Sequence, residues 1–173
     1  MARDSMISGT ATVVRVLAVL NVAAGVGFAA ALLVSWPAGT LLMARLLAKY
    51  HDPTVAFAGL TGIRLVLVIG LIAVWAVYRL FTALAAILAS LRSGDPFLPD
   101  NAARVRTIAW AMLALQVLDT ALGGLEFWLA SLHIDVLTWT PSVGGWLSVL
   151  VAFVLAHVFA RGAAMRDDLV GTV

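Results

Sequence analysis

The sequence predicts an all-α fold: an integral membrane four-helix bundle, both termini cytoplasmic, with a short amphipathic surface helix in the first outer loop. Three observations predict it. Of 173 residues, 63% are hydrophobic and only 12% are charged, about half the charged share of ordinary soluble domains. The mean hydropathy is +1.06. Four apolar runs approach ~20 residues, enough to cross a hydrocarbon core of ~30 Å. Backbone groups in lipid must be satisfied within their own segment, so the runs are read as helices. The length suits one domain, and residues 1–173 are taken as a single transmembrane unit.

The first span is placed at 16–36. Arg3 and Arg15 precede it and small residues stand within it at 29–31, which raises the question of a signal peptide. The run exceeds the usual ~7–15-residue apolar core of such peptides, and Trp36 stands where an interfacial anchor would, so an uncleaved helix is expected. After Pro37, Leu41, Leu42, Met43, Leu46, Leu47 and Tyr50 surround Arg45 and Lys49, which are four apart. That pattern suits the short amphipathic helix on the outer surface.

The second span is placed at 64–91. Arg64 and Arg79 are fifteen residues apart, ~22 Å along a helix, and both can snorkel to opposite surfaces. Residues 80–91 then project beyond the membrane, and Phe81, Leu84, Leu88 and Leu91 form a stripe that needs cover. Alternatively the whole run is immersed and Arg79 is buried in the bundle; the first reading strands no charge and is preferred. The following turn holds Gly94, Pro96 and Pro99, with Asp100 or Asn101 as a cap for the third helix. The third and fourth spans are placed at 108–132 and 143–161, separated by a short loop ending in Pro141.

Orientation follows from the cations. Arg3, Arg15, Arg92, Arg104, Arg106, Arg161 and Arg166 fall on one side, Arg45 and Lys49 on the other, with Arg64 at its boundary. By the positive-inside tendency the first side is cytoplasmic. Ten arginines against one lysine, beside abundant Ala, Val, Leu and Gly, is the bias of a GC-rich bacterial genome.

The third span carries the most unusual residues. Gln116, Asp119, Thr120, Gly123, Glu126 and His133 fall within about 140° of one another at ~100° per residue, so one face looks into the bundle. Intramembrane acids are costly and read first as functional. Gly123 and Gly124 are expected to admit a neighbouring helix. Asn21 and His157 are the other internal polar candidates. Glu126 is expected to pair with Arg64, as a structural contact. Asp119 is then left near Gln116, Asn21 or His157, or protonated. Two readings stand for Asp119. It fixes packing by hydrogen bonds between helices, the favoured reading, or it marks a cavity that exchanges protons or binds a cationic or polar ligand.

Several function classes are set aside. A net charge of +2 is too small for a nucleic-acid footprint, so no direct nucleic-acid contact is expected. Without cysteine there is no thiolate chemistry. His51-Asp52 and His133-x-Asp135 lack a recognised ligand spacing, and His157 alone makes a poor haem ligand set. No phosphate loop or nucleophile elbow is present. Neither enzyme activity, metal nor cofactor is expected. The tryptophans at 36, 110, 128, 139 and 146 read as interfacial anchors.

Two stretches on the cytoplasmic side resemble a known family. Leu91-Arg92-Ser93-Gly94-Asp95-Pro96-Phe97, followed by Asn101 and Arg104, resembles a "G-x-P-F…N…R" signature. Val158-Phe159-Ala160-Arg161-Gly162-Ala163-Ala164-Met165-Arg166-Asp167-Asp168-Leu169, closing with Thr172-Val173, resembles the same family's tail, with Met165 in place of a leucine and Val170-Gly171 inserted before the close. This is the YoaS-like family of small four-helix bacterial membrane proteins, a domain of unknown function. The resemblance implies a multi-pass protein of the bacterial plasma membrane and a cytoplasmic helix-turn-helix regulator of Cro/C1 type as partner. It supplies no catalytic residues.

The expected function is therefore a non-enzymatic regulator that docks such a partner through 94–106 and 159–173. The residues singled out are Gly94, Pro96, Phe97, Asn101, Arg104, Phe159, Arg161 and Gly162. The alternative is a small transporter or ion-coupled carrier using Asp119 and Glu126. The lipid bilayer is a partner in either case, and homo-oligomerisation is left open.

Overall fold

The computed structural model describes residues 2–92, 99–135 and 139–170, with side chains described over 9–90, 100–135 and 139–165. The regular structure there is helical: α1 (Ala2–Ser35), α2 (Gly39–Tyr50), α3 (Pro53–Arg92), α4 (Pro99–Ser131) and α5 (Val143–Val170). Four helical stretches are long and apolar enough to cross a membrane: Gly9–Ser35, Pro53–Ser90, Asp100–Ser131 and Val143–Met165. They mark the chain as a membrane protein.

The helices overrun the spans expected from hydropathy. α3 has 40 residues and is ~60 Å long, twice the thickness of a hydrocarbon core. It starts at Pro53 rather than near Arg64 because of a local cap. Asp52 Oδ1 accepts from the backbone N–H of Thr54 at 2.7 Å and of Val55 at 3.3 Å, satisfying donors that the first turn leaves open. Pro53 costs nothing at the first helical position, where its missing N–H has no partner to lose. Likewise α4 begins at Pro99, ahead of both residues expected to cap it. Asp100 and Asn101 lie inside the first turn, where the Asp100 carboxylate favours the helix dipole.

Two histidines end helices. His51 takes φ 58 after α2 and donates its N–H to Leu47. His133 takes φ 59 after α4, donating to the Ala130 carbonyl at 2.9 Å while Ile134 donates to Leu129 at 3.2 Å. That pair of bonds, six-to-one and five-to-two, closes α4 with a left-handed residue. The apolar contact that accompanies such corners is present too: Ile134 and Leu129 share a buried cluster with Ala58.

The chain forms two compact units, Met1–Val22 with Ala76–Gln116 and Ser142–Val173, and Ala23–Trp75 with Val117–Pro141. In the second unit α1 and α3 run antiparallel, with Gly25 against Val74 and Gly70 against Phe28. A Cβ at Gly62 would stand 2.8 Å from Leu129 of α4, so that glycine lets α3 and α4 close up. In the first unit Trp110 of α4 meets Phe153 of α5 edge to face, centroids 5.3 Å apart. Further along the same helices Gln116 covers Gly145. Phe81 and Leu88 line a cavity of about 240 Å³ with Val14, Arg15 and Ala18. Two residues of the α3 stripe that needed cover, Phe81 and Leu88, therefore face α1.

Packing is inside out relative to a soluble protein. Among the described residues nine of the fourteen buried apolar side chains are alanine, while Leu33, Val26, Phe127 and Trp110 stand exposed. Small residues let helix backbones approach, and large ones face outward, as suits a hydrocarbon solvent. Replacing the cap, Asp52→Ala, is expected to cost about 1 kcal/mol of stability. Unfolding in mixed detergent micelles measures it; an unchanged midpoint would mean that Asp52 does not start α3.

Candidate functional site

In the first unit the end of α3 and the start of α4 are tied by a chain of polar side chains. Arg104 Nη1 donates to Asn101 Oδ1 at 2.8 Å. Asn101 Nδ2 donates to Ser90 Oγ at 2.8 Å, and Ser90 Oγ donates to the Ile87 carbonyl at 2.8 Å. Asn101 is 1% exposed, so an amide with no partner would be costly there; each link here polarises the next. Arg104 also reaches the Ala86 carbonyl at 3.4 Å and lies 3.9 Å from Asp100. Two residues of the inner-loop signature, Asn101 and Arg104, thus hold the stems of the α3–α4 turn. Gly94, Pro96 and Phe97 lie outside the described residues.

Arg64 does not pair with Glu126. Its Nη2 donates to the carbonyl of Ser35, the last residue of α1, at 2.9 Å, and its guanidinium carbon sits 4.7 Å over the Trp36 ring. A cation is well placed there, since a helix C-terminus carries unsatisfied carbonyls and the negative end of the dipole. The aromatic face adds a cation–π contact. Sequence spacing along α3 and α4 brought the two charges level but could not show that a helix end competes for the arginine.

The polar stripe of α4 divides between the two units. Gln116 is 7% exposed and packs in the first. Asp119 is half-buried and engaged. Glu126, Thr120 and His133 line an open cavity of about 840 Å³ in the second unit, together with Phe127, Asp135 and Trp139. Asp119 is not part of that lining. Gly123 admits a side chain rather than a helix: a Cβ there would run into the Trp139 ring, whereas Gly124 has nothing within 4 Å. Trp139 is therefore folded against α4, with its indole nitrogen buried and unpartnered. No signal in the sequence pointed to that contact, because residues 123 and 139 are joined only by the return of the loop. Glu126 Oε2 is likewise buried without a hydrogen-bond partner.

The remaining candidates are dispersed. Asn21 is half-buried, Arg79 exposed, and both are engaged. His157 is exposed and lines a cavity of about 620 Å³ with Arg106, Trp110 and Phe153. Phe159 and Gly162 are half-buried and Arg161 exposed at the end of α5. Asp135 bonds Lys49 at 3.0 Å. That hydrogen bond chiefly raises the Lys49 pKa, with Tyr50 second. A raised lysine value means the tie is complete below the ordinary 10.5 and fades as pH climbs through the raised one. Both partners are exposed, so it is a weak tie. Among the described residues no group of three His, Asp or Glu could hold a metal ion.

Asn101→Leu removes the amide that links Arg104 to Ser90, and a loss of roughly 1–3 kcal/mol is expected. Unfolding in detergent micelles tests it; a loss no larger than that of an exposed substitution would show that the chain does not hold the turn.

Neither a curated protein nor a solved structure matches the chain. The family model described as "Protein of unknown function (DUF2975)" matches residues 35–173. That span takes in the whole of α2 to α5, including the Asn101–Arg104 chain and the Glu126 cavity, and the protein belongs to the DUF2975 family.

Proposed function

We propose that this is a YoaS-like multi-pass protein of the bacterial plasma membrane with both termini cytoplasmic. It works without catalysis, as a regulator that holds a cytoplasmic helix-turn-helix protein. The docking surface is the α3–α4 turn with the start of α4, 94–106, and the end of α5 with the tail, 159–173. The observation that carries this reading is the Arg104–Asn101–Ser90 chain. The buried amide ties the two helix ends from which that loop departs, and loops on rigid stems are where recognition sits. Arg106 and Arg161 are exposed and supply positive charge for acidic side chains of the partner. The cytoplasmic assignment of this end rests on its excess of arginine.

Arg104 holds the fold, so the test spares it. The chain is purified from native membranes and the bound helix-turn-helix protein of Cro/C1 type is measured. Replacing Phe97, Arg106 and Arg161 by alanine together is expected to cut capture about tenfold, the equivalent of ~1.4 kcal/mol. The variant should remain as abundant in the membrane as the parent. Equal capture would remove this docking surface, and a parent chain that holds no such protein would remove the reading.

A second reading, a small ion-coupled carrier using Asp119 and Glu126, is favoured by one observation. Glu126 has no hydrogen bond or ion pair among the described residues and lines the cavity of about 840 Å³. An intramembrane carboxylate without a partner marks ion and substrate pathways. Proton flux into liposomes that vanishes with Asp119→Asn is the expected outcome of this reading; undiminished flux removes Asp119 from the path.

A further inference from the structure

We infer that the cavity beside Glu126 is a binding site for lipophilic organic cations. This deepens the carrier reading, on whose cavity it rests, but it concerns binding and not flux.

Charge is the first argument. Glu126 stands in a helix apolar enough to span a membrane, and its buried Oε2 has no hydrogen-bond partner among the described residues. The arginine that could have done so is committed to the end of α1. The other carboxylate of the lining, Asp135, is already met by Lys49. No lysine or arginine lines the cavity among the described residues. Glu126 is therefore the acid of the lining left without a cationic partner among the described residues, and it is half-exposed to whatever fills the space, with His133 also in the lining.

The walls argue for the kind of cation. Phe127, Ala130, Ile134 and Trp139 give an apolar, partly aromatic lining, suited to a cation's positive surface. Trp139 packs over Gly123 and supplies the aromatic part of that wall. The volume of about 840 Å³ falls in the range of pockets for small organic ligands, ~300–1,000 Å³. A metal ion or small ammonium ion would need several oxygen or nitrogen atoms to replace its water, and the lining offers too few. A large cation that sheds little water on entering an apolar site fits the chemistry.

The test uses the full chain in lipid nanodiscs, titrated with tetraphenylphosphonium, with empty discs of the same lipid as blank. Tetraphenylborate, of the same size and opposite charge, is the control. Saturable phosphonium binding above the blank is expected, with none for the borate. Glu126→Gln should weaken it at least tenfold while the protein still elutes as a single species, and Trp139→Leu should weaken it severalfold. No saturable binding, equal binding of the two ions, or an undiminished Glu126→Gln would overturn the proposal. Should Glu126→Gln fail to fold, labelling of Glu126 in the parent chain by a hydrophobic carbodiimide decides. Slowing by phosphonium but not borate supports the site, and no slowing rejects it. Liposome flux is read separately: binding without flux keeps the site and removes the carrier.

Discussion

A helix surrounded by hydrocarbon gains little by exchanging lipid for another helix's side chains, so contacts must come from close approach. The buried positions show this constraint at work. Ala56, Ala58, Ala76, Ala109, Ala111, Ala152 and Ala156 lie at the seams, while Leu33, Val26 and Leu147 face outward. Glycines serve where even alanine is too large. Gly25 receives Val74, Gly62 receives Leu129 and Gly70 receives the Phe28 ring. With so little apolar driving force between helices, the few polar contacts between them carry much of the specificity of packing.

Most of those contacts sit at helix ends, where backbone groups lack partners. Asp52 caps the start of α3, Arg64 meets the last carbonyl of α1, and two histidines in the left-handed conformation close α2 and α4. The Arg104–Asn101–Ser90 chain belongs to the same class, since it ends on the Ile87 carbonyl close to the last turn of α3. Glu126 stands apart. It lies in the second-last turn of α4, and its buried Oε2 has no hydrogen-bond partner among the described residues.

The spans were legible because hydropathy is a property of local sequence, and a run long enough to cross lipid can satisfy its backbone only as a helix. The helix α2 was legible for a related reason, its apolar residues recurring around Arg45 and Lys49. Asn101 and Arg104 stood out in a motif, but the motif did not say that they bond each other. The expected Arg64–Glu126 pair failed because counting along two helices fixes depth and leaves rotation open. The helices α1, α3, α4 and α5 run on past the expected spans, since polar flanks that caps and dipoles support are invisible to a hydropathy window. His51-Asp52 and His133 looked like loop polar groups, and the backbone geometry makes them punctuation.

By itself the amino-acid order determined that the chain is helical, that four segments are long and oily enough to cross a membrane, and which residues are out of place there. Those properties depend on neighbours a few positions away. Only the tertiary structure decided which charges are answered: Arg64 turned to a helix end, Asp135 to Lys49, Glu126 to an open cavity walled by Trp139. Partnerships of that kind are set by how helices rotate and where loops return, and these follow from the packing of the whole chain.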